Sequence, residues 1–219
     1  MVKTSRTKGR GERPLKLNPS SPLPFVLEYF EETFNIKPQE INQIESELSH
    51  SFDIWFQMLS LLKPFKLTPE LEPNYEKVHE LFKWITNRSK HTLTCTLTTF
   101  TETNGPPKQK YIQMTNRLKR EFENILKNDA IFLYPCHPQT AIFHHESLLK
   151  MYNIGYTAIF NVLGFPVTQC PLGLSLKGLP LGIQVVGGLD QDHLTIAVAK
   201  QLEKAFGGWR NPNSNQILL

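Results

Sequence analysis

Residues 156–187 read YTAIFNVLGFPVTQCPLGLSLKGLPLGIQVVG, and this stretch decides the fold. YTAIFNVLG (156–164) is a helix-sized apolar segment, with Gly164 placed as its C-cap. PVTQCPLGL (166–174) and LGIQVVG (181–187) are strand candidates joined by a turn through Lys177-Gly178, which predicts an antiparallel hairpin. Pro171 offers no N–H to a ladder, so part of the first strand belongs at an edge or a bulge. Upstream, AIFLYP (130–135) is a continuous apolar run, as expected of a buried strand in a sheet covered on both faces. Downstream, DQDHLTIAVAKQLEKAF (190–206) predicts a closing helix. Asp190 or Asp192 is its expected cap, Leu194, Ala197, Val198 and Leu202 face inward, and Gly207-Gly208 ends it.

The preceding part of the chain is helical in pattern. A short helix is expected over Phe25–Glu32. Ile41, Ile44, Leu48, Phe52, Trp55, Leu59 and Leu62 then recur at three- and four-residue steps, the face of a single helix of about six turns stopped by Pro64. Residues 63–74 read as a loop, VHELFKWI (78–85) as helix, and HTLTCTLTTF (91–100) as either strand or helix. KYIQMTNRLKREFENILKN (110–128) is a charged amphipathic helix with Ile112, Leu118, Phe122, Ile125 and Leu126 turned inward. Helices followed by strand–helix–strand–strand–helix define an α/β sandwich.

Composition narrows the classes. With 219 residues, 40% apolar and 11% aromatic, the chain has material for a real core. Its net charge of +4 is local: six cations against Glu12 give +5 in the first sixteen residues. A nucleic-acid-binding body is therefore not indicated. Residues 1–24, basic and then broken by Pro19, Pro22 and Pro24, read as a tail or linker, or as a short electrostatic anchor. The three cysteines, Cys95, Cys136 and Cys170, have no metal spacing and fit a reducing compartment. No apolar run is long enough to span a bilayer, so the expected setting is intracellular, cytoplasmic or membrane-associated.

Candidate chemistry is sparse. His137, His144 and His145 lie near Cys136, but no metal-ligand spacing accompanies them. Cys170 between Gln169 and Pro171 on a strand is a poor place for an activated thiolate, and a buried small apolar group is the better reading. No Gly-x-Ser-x-Gly elbow is present. GGLDQDH (187–193) joins strand to helix without Rossmann spacing, and its aspartates repel an anion, so it reads as a tight turn.

AIFLYPCHP, FNVLGFP and GLPLGIQVVG, in that order, resemble the C-terminal region of the amidase signature family. HPQTAIFHHE, PVTQCPLGL and AFGGW are most similar to its fatty-acid amide hydrolase 2 subgroup. The likeness is specific over about 129–212 and weaker over 25–128. It implies the C-terminal portion of the amidase signature fold, a mixed sheet flanked by helices with the N-terminal half missing. The corresponding boundaries are a tail at 1–24, an amidase-like region at 25–212 and a C-terminal tail at 213–219.

Such enzymes hydrolyse amides with a serine nucleophile, a bridging serine and a lysine. None of these groups has a match here, so the resemblance implies no catalytic residue, metal or cofactor in this chain. It implies one wall of the acyl-chain channel, from Met151, Ile154 and Ala158, and a fatty-acyl amide as the substrate of the complete enzyme. The implied partners are the missing half or a second copy. The competing expectation is a non-catalytic lipid-binding or interaction protein derived from an amidase.

Overall fold

A computed structural model describes residues 2–4, 22–59, 61, 73–92, 106–144, 146–175 and 177–210. In chain order the described elements are β1 (Val2–Thr4), α1 (Leu23–Phe34), β2 (Pro38–Glu40), α2 (Glu45–Leu48), α3 (Ser51–Leu59), α4 (Pro73–Ile85) and α5 (Gln109–Ile125). There follow β3 (Ile131–Pro135), two short 3-10 turns (Glu146–Leu148 and Met151–Ile154), α6 (Gly155–Leu163), β4 (Val167–Leu174), β5 (Pro180–Val186) and α7 (Asp192–Phe206).

The sheet has the order β2-β1-β3-β5-β4. Register explains its two covered faces, because residues opposite one another share a face. Phe132 stands opposite Val186 and Tyr134 opposite Gln184, while Leu133 stands opposite Val185 and Cys170 opposite Ile183. On the first face, Phe132, Tyr134 and Val186 pack with Ile54 of α3, Leu118 and Phe122 of α5, and Ile159 and Phe160 of α6. Phe122 sits edge-on to Phe132 and Phe160, at centroid distances of 5.1 and 5.7 Å. On the second face, Ile131, Leu133, Ile183 and Val185 pack with Leu23, Val26, Leu27 and Phe30 of α1 and Leu202 of α7. The α1 residues recur at helical spacing, so a single stripe serves that core. This is the expected α/β sandwich, with β3 buried on both sides.

The hairpin forms as read: β4 and β5 are antiparallel, with a register shift between Pro171 and Leu174. Gly164 and Gly178 take the left-handed conformation at φ 78° and 74°, ending α6 and making the turn. Every described strand pairing is antiparallel, where a mixed sheet was expected. The outer edge of β4 has no partner strand among the described residues.

Other expectations change. The six-turn helix breaks at Ser49–His50 into α2 and α3. The Ser49 hydroxyl donates to the Ser46 carbonyl at 2.7 Å, His50 Nδ1 lies 2.9 Å from that same oxygen, and the Ser51 hydroxyl donates to the Leu48 carbonyl at 2.6 Å. These side chains compete for backbone groups that a continuous helix uses itself. The break shifts the phase of the stripe: Ile54 is the fully buried residue of α3, and Phe52 and Trp55 are only half-buried.

At α7 neither aspartate caps by its side chain; the N-cap is Gln191. Gln191 Oε1 accepts from the Gly188 amide at 3.2 Å, and its Nε2 donates to Asp129 at 3.1 Å. Asp190 is held at φ 62° in the turn. Ala197 is exposed, and Thr195 takes the inward position, accepting a 2.8 Å hydrogen bond from the Thr168 hydroxyl of β4. The glycine turn is tight for lack of space: a Cβ on Gly187 would meet Thr195 Cγ2 at 2.8 Å.

The reading of residues 1–24 as a tail gave Val2–Thr4 no element, yet they pair with both β2 and β3. Residues 5–21, 62–72, 93–105 and 211–219 lie outside the described residues, and with them the prolines of the tail up to Pro19, Leu62, most of HTLTCTLTTF and the expected C-terminal tail.

Candidate functional site

The site expected from the sequence lies where β3 leaves the sheet and α6 begins. Gln184 holds this junction. Its side chain is 3% exposed in the middle of the apolar β5, and its Nε2 donates to the Pro135 carbonyl at 2.9 Å and the Tyr156 carbonyl at 3.1 Å. Two backbone acceptors on different elements are thereby satisfied by one amide, which fixes the start of α6 against the end of β3. Sequence reading quoted the motif containing Gln184 but gave the residue no role. The available signal was a lone polar side chain within LGIQVV.

Around this clamp the Tyr134 and Tyr156 rings stack at 5.4 Å, and Phe52 packs edge-on against Tyr152 at 4.7 Å. Gly155 lets α6 approach α3, because a Cβ there would lie 2.8 Å from the Phe52 backbone nitrogen. Burial pushes the Tyr134 phenol well above its ordinary value, and the neighbouring Tyr156 adds to the shift.

The expected wall residues are divided by this geometry. Met151 and Ile154 lie on the 3-10 turn before α6, Met151 half-buried and Ile154 44% exposed. Ala158, one turn further along α6, is 4% exposed and belongs to the interior. Of the three, Ile154 is therefore accessible, Met151 partly so, and Ala158 interior.

Three further reactive side chains, Cys136, Cys170 and His137, are engaged by their surroundings. Cys136 pairs through its thiol with Gln169 Oε1, and burial pushes the thiol up. Cys170 lies in the core on the α1 side, pushed up to about 12 by burial and, secondarily, by Cys136. Both shifts oppose thiolate formation. His137 is held by Gln139 through Nδ1 and by Asn153 through Nε2, at 2.9 and 3.1 Å. Among the described residues no three His, Cys, Asp or Glu side chains converge as metal ligands.

Comparison with known proteins agrees with this architecture. Residues 30–196 match the family model described as Amidase. The chain belongs to the amidase family. This amidase-family chain is 41% identical over 202 residues to fatty-acid amide hydrolase 2-A of Danio rerio, covering 88% of the chain and 38% of that protein. It is also 41% identical over 178 residues to fatty-acid amide hydrolase 2 of Homo sapiens, covering 76% of the chain and 34% of that protein. It thus spans between a third and two fifths of the length of these relatives. A crystal structure of an amidase superposes with a TM-score of 0.55 at 17% identity, covering 84% of this chain and 41% of that one. That likeness is one of fold. Among the described residues no helix is long and apolar enough to cross a membrane.

Proposed function

We propose that this chain is the C-terminal portion of a serine amide hydrolase acting on fatty-acid amides, supplying scaffold and substrate wall rather than catalytic groups. The observation that carries the reading is the 41% identity to fatty-acid amide hydrolase 2-A, extended over 88% of the chain. The exposed Ile154 and half-buried Met151 support an apolar wall available to an acyl chain. Amide cleavage by this class of enzyme requires an activated serine, a base to take its proton and donors for the developing oxyanion. Ile154 and Met151 are apolar and reachable, as such a wall requires, and the resemblance assigns neither the two serines nor the lysine to this chain; in this reading the partner is the remainder of the enzyme.

A fluorophosphonate probe tests the division of labour. The 219-residue chain should remain unlabelled and should not hydrolyse oleamide. Stoichiometric labelling at one serine, abolished by denaturation, would overturn it. Supplying the N-terminal half of fatty-acid amide hydrolase 2-A in trans should produce both labelling of that half and oleamide hydrolysis. Failure to restore either, with both halves folded and associated, counts against the acyl-wall role.

A further inference from the structure

A cleft of about 340 Å³ opens where α2 and α3 meet the exit of β3 and the start of α6. Glu45, Phe52, Asp53, Tyr134, Tyr152 and Tyr156 line it, together with small groups of the same segments. Met151 and Ile154 are not among its lining residues, although Tyr152 and Gly155 of the same stretch are.

Its lining has an unmet demand. Tyr134 is only 5% exposed, yet among the described residues its hydroxyl has no hydrogen-bond partner, and neither has that of the stacked Tyr156. A hydroxyl without a protein partner at the wall of a cleft can be paired by a ligand group. Asp53 is half-buried and Glu45 exposed, and neither has a cationic partner among the described residues. No lysine, arginine or histidine lines the cleft. Aromatic faces attract organic cations, and four rings line this space. At about 30 Å³ per water, the volume holds roughly eleven water-sized groups, the scale of a ligand with about ten non-hydrogen atoms.

We propose that this cleft binds a small primary organic ammonium ion, its N–H groups donating to Asp53 and the Tyr134 hydroxyl and its apolar part lying against Phe52, Tyr152 and Tyr156. A primary ammonium meets both needs: it carries charge for the carboxylates and donors for the phenol oxygen. The inference concerns binding and does not depend on the amide-hydrolase reading.

Isothermal titration of the complete 219-residue chain with phenethylammonium chloride tests it, with 2-phenylethanol as the neutral counterpart. Saturable one-to-one binding is expected, at least about tenfold tighter than that of the alcohol. Tyr134→Phe and Asp53→Asn should each weaken it by about fivefold or more. Tyr134→Phe should leave the melting temperature unchanged or raised, because it deletes an unpartnered hydroxyl. If Asp53→Asn impairs folding, Glu45→Gln at the exposed mouth supplies the charge test, with an expected weakening of about twofold. Equal binding of the alcohol, full affinity in Tyr134→Phe, or no saturable binding would each overturn the proposal.

Discussion

Gln184 and Tyr156, on β5 and α6, are joined by a 3.1 Å hydrogen bond from a buried side-chain amide to a backbone carbonyl. The same nitrogen also reaches Pro135 at 2.9 Å, so one side chain ties three segments. Gln184→Leu keeps the volume but removes both hydrogen bonds. It should destabilise the chain by about 1–3 kcal/mol in urea denaturation. A loss below about 0.5 kcal/mol would show that the junction is held by packing alone.

Gly155→Ala tests the close approach of α6 to α3. On helix propensity alone the change stabilises by about 1 kcal/mol. The added methyl would lie 2.8 Å from the Phe52 backbone nitrogen, which belongs to a helix and cannot give easily. A net loss of about 1–3 kcal/mol is expected. A rise in melting temperature would refute the contact.

Ile154→Trp and Ala158→Trp should behave differently in this chain. Ile154 is 44% exposed, and the change there should alter stability by no more than about 0.5 kcal/mol. Ala158 is 4% exposed, and a ring at that site overfills the core at a cost of about 1–3 kcal/mol or more. Thermal melts of the two variants side by side decide this, and equal losses would place both residues in the same environment.

Cys170 predicts a pH dependence. Its thiol is ordinary in the unfolded chain, near 9, and pushed up to about 12 in the fold. Between those values the unfolded chain has released a proton that the native chain retains, so unfolding becomes easier as pH rises. Stability should be unaffected by this group below pH 9 and decline above it. Tyr134, also raised, acts in the same direction at the upper end of the range. Cys170→Ala should flatten the decline between pH 9 and 11 in denaturant titrations, and an unchanged slope would contradict the assignment.

Deleting residues 1–4 removes β1 and leaves one edge of β3 without a partner. The melting temperature should fall, and the amides of Phe132 and Leu133 should exchange faster with solvent. Unaltered exchange at those two positions would place Val2–Thr4 outside the sheet in solution.

Much of this fold was legible because its signals are local. An apolar strand bounded by Pro135, a helix ended by Gly164 and a hairpin turning at Gly178 each follow from a few adjacent residues. The helix break at Ser49–His50 escaped because apolar periodicity is blind to hydroxyls bonding back to nearby carbonyls. The N-cap falls on Gln191, whose side chain is engaged by Gly188 and by Asp129, 62 positions away, a contact that no local pattern shows. The site divides in the same manner. The resemblance assigned Met151, Ile154 and Ala158 to one wall alike, whereas their exposures differ, because Ala158 on α6 faces the interior. The paired tyrosines and the Gln184 clamp arise only when β3, β5 and α6 come together.

The strand order carries a consequence for how the chain acquires its shape. β3, β5 and β4, with α6 and α7, come from one continuous stretch, Ile131–Phe206, and their contacts close over short loops. β1 joins them from the opposite end of the molecule, Val2 pairing with Leu133. Val2–Thr4 precede their β3 partner by more than a hundred residues, and only β2 is near enough in sequence to pair with them before β3 has formed. Local contacts form faster than distant ones, so the C-terminal hairpin and its helices assemble first and the N-terminal strand docks last. A bulky fusion at the N-terminus burdens that final docking, whereas one at the C-terminus leaves it free.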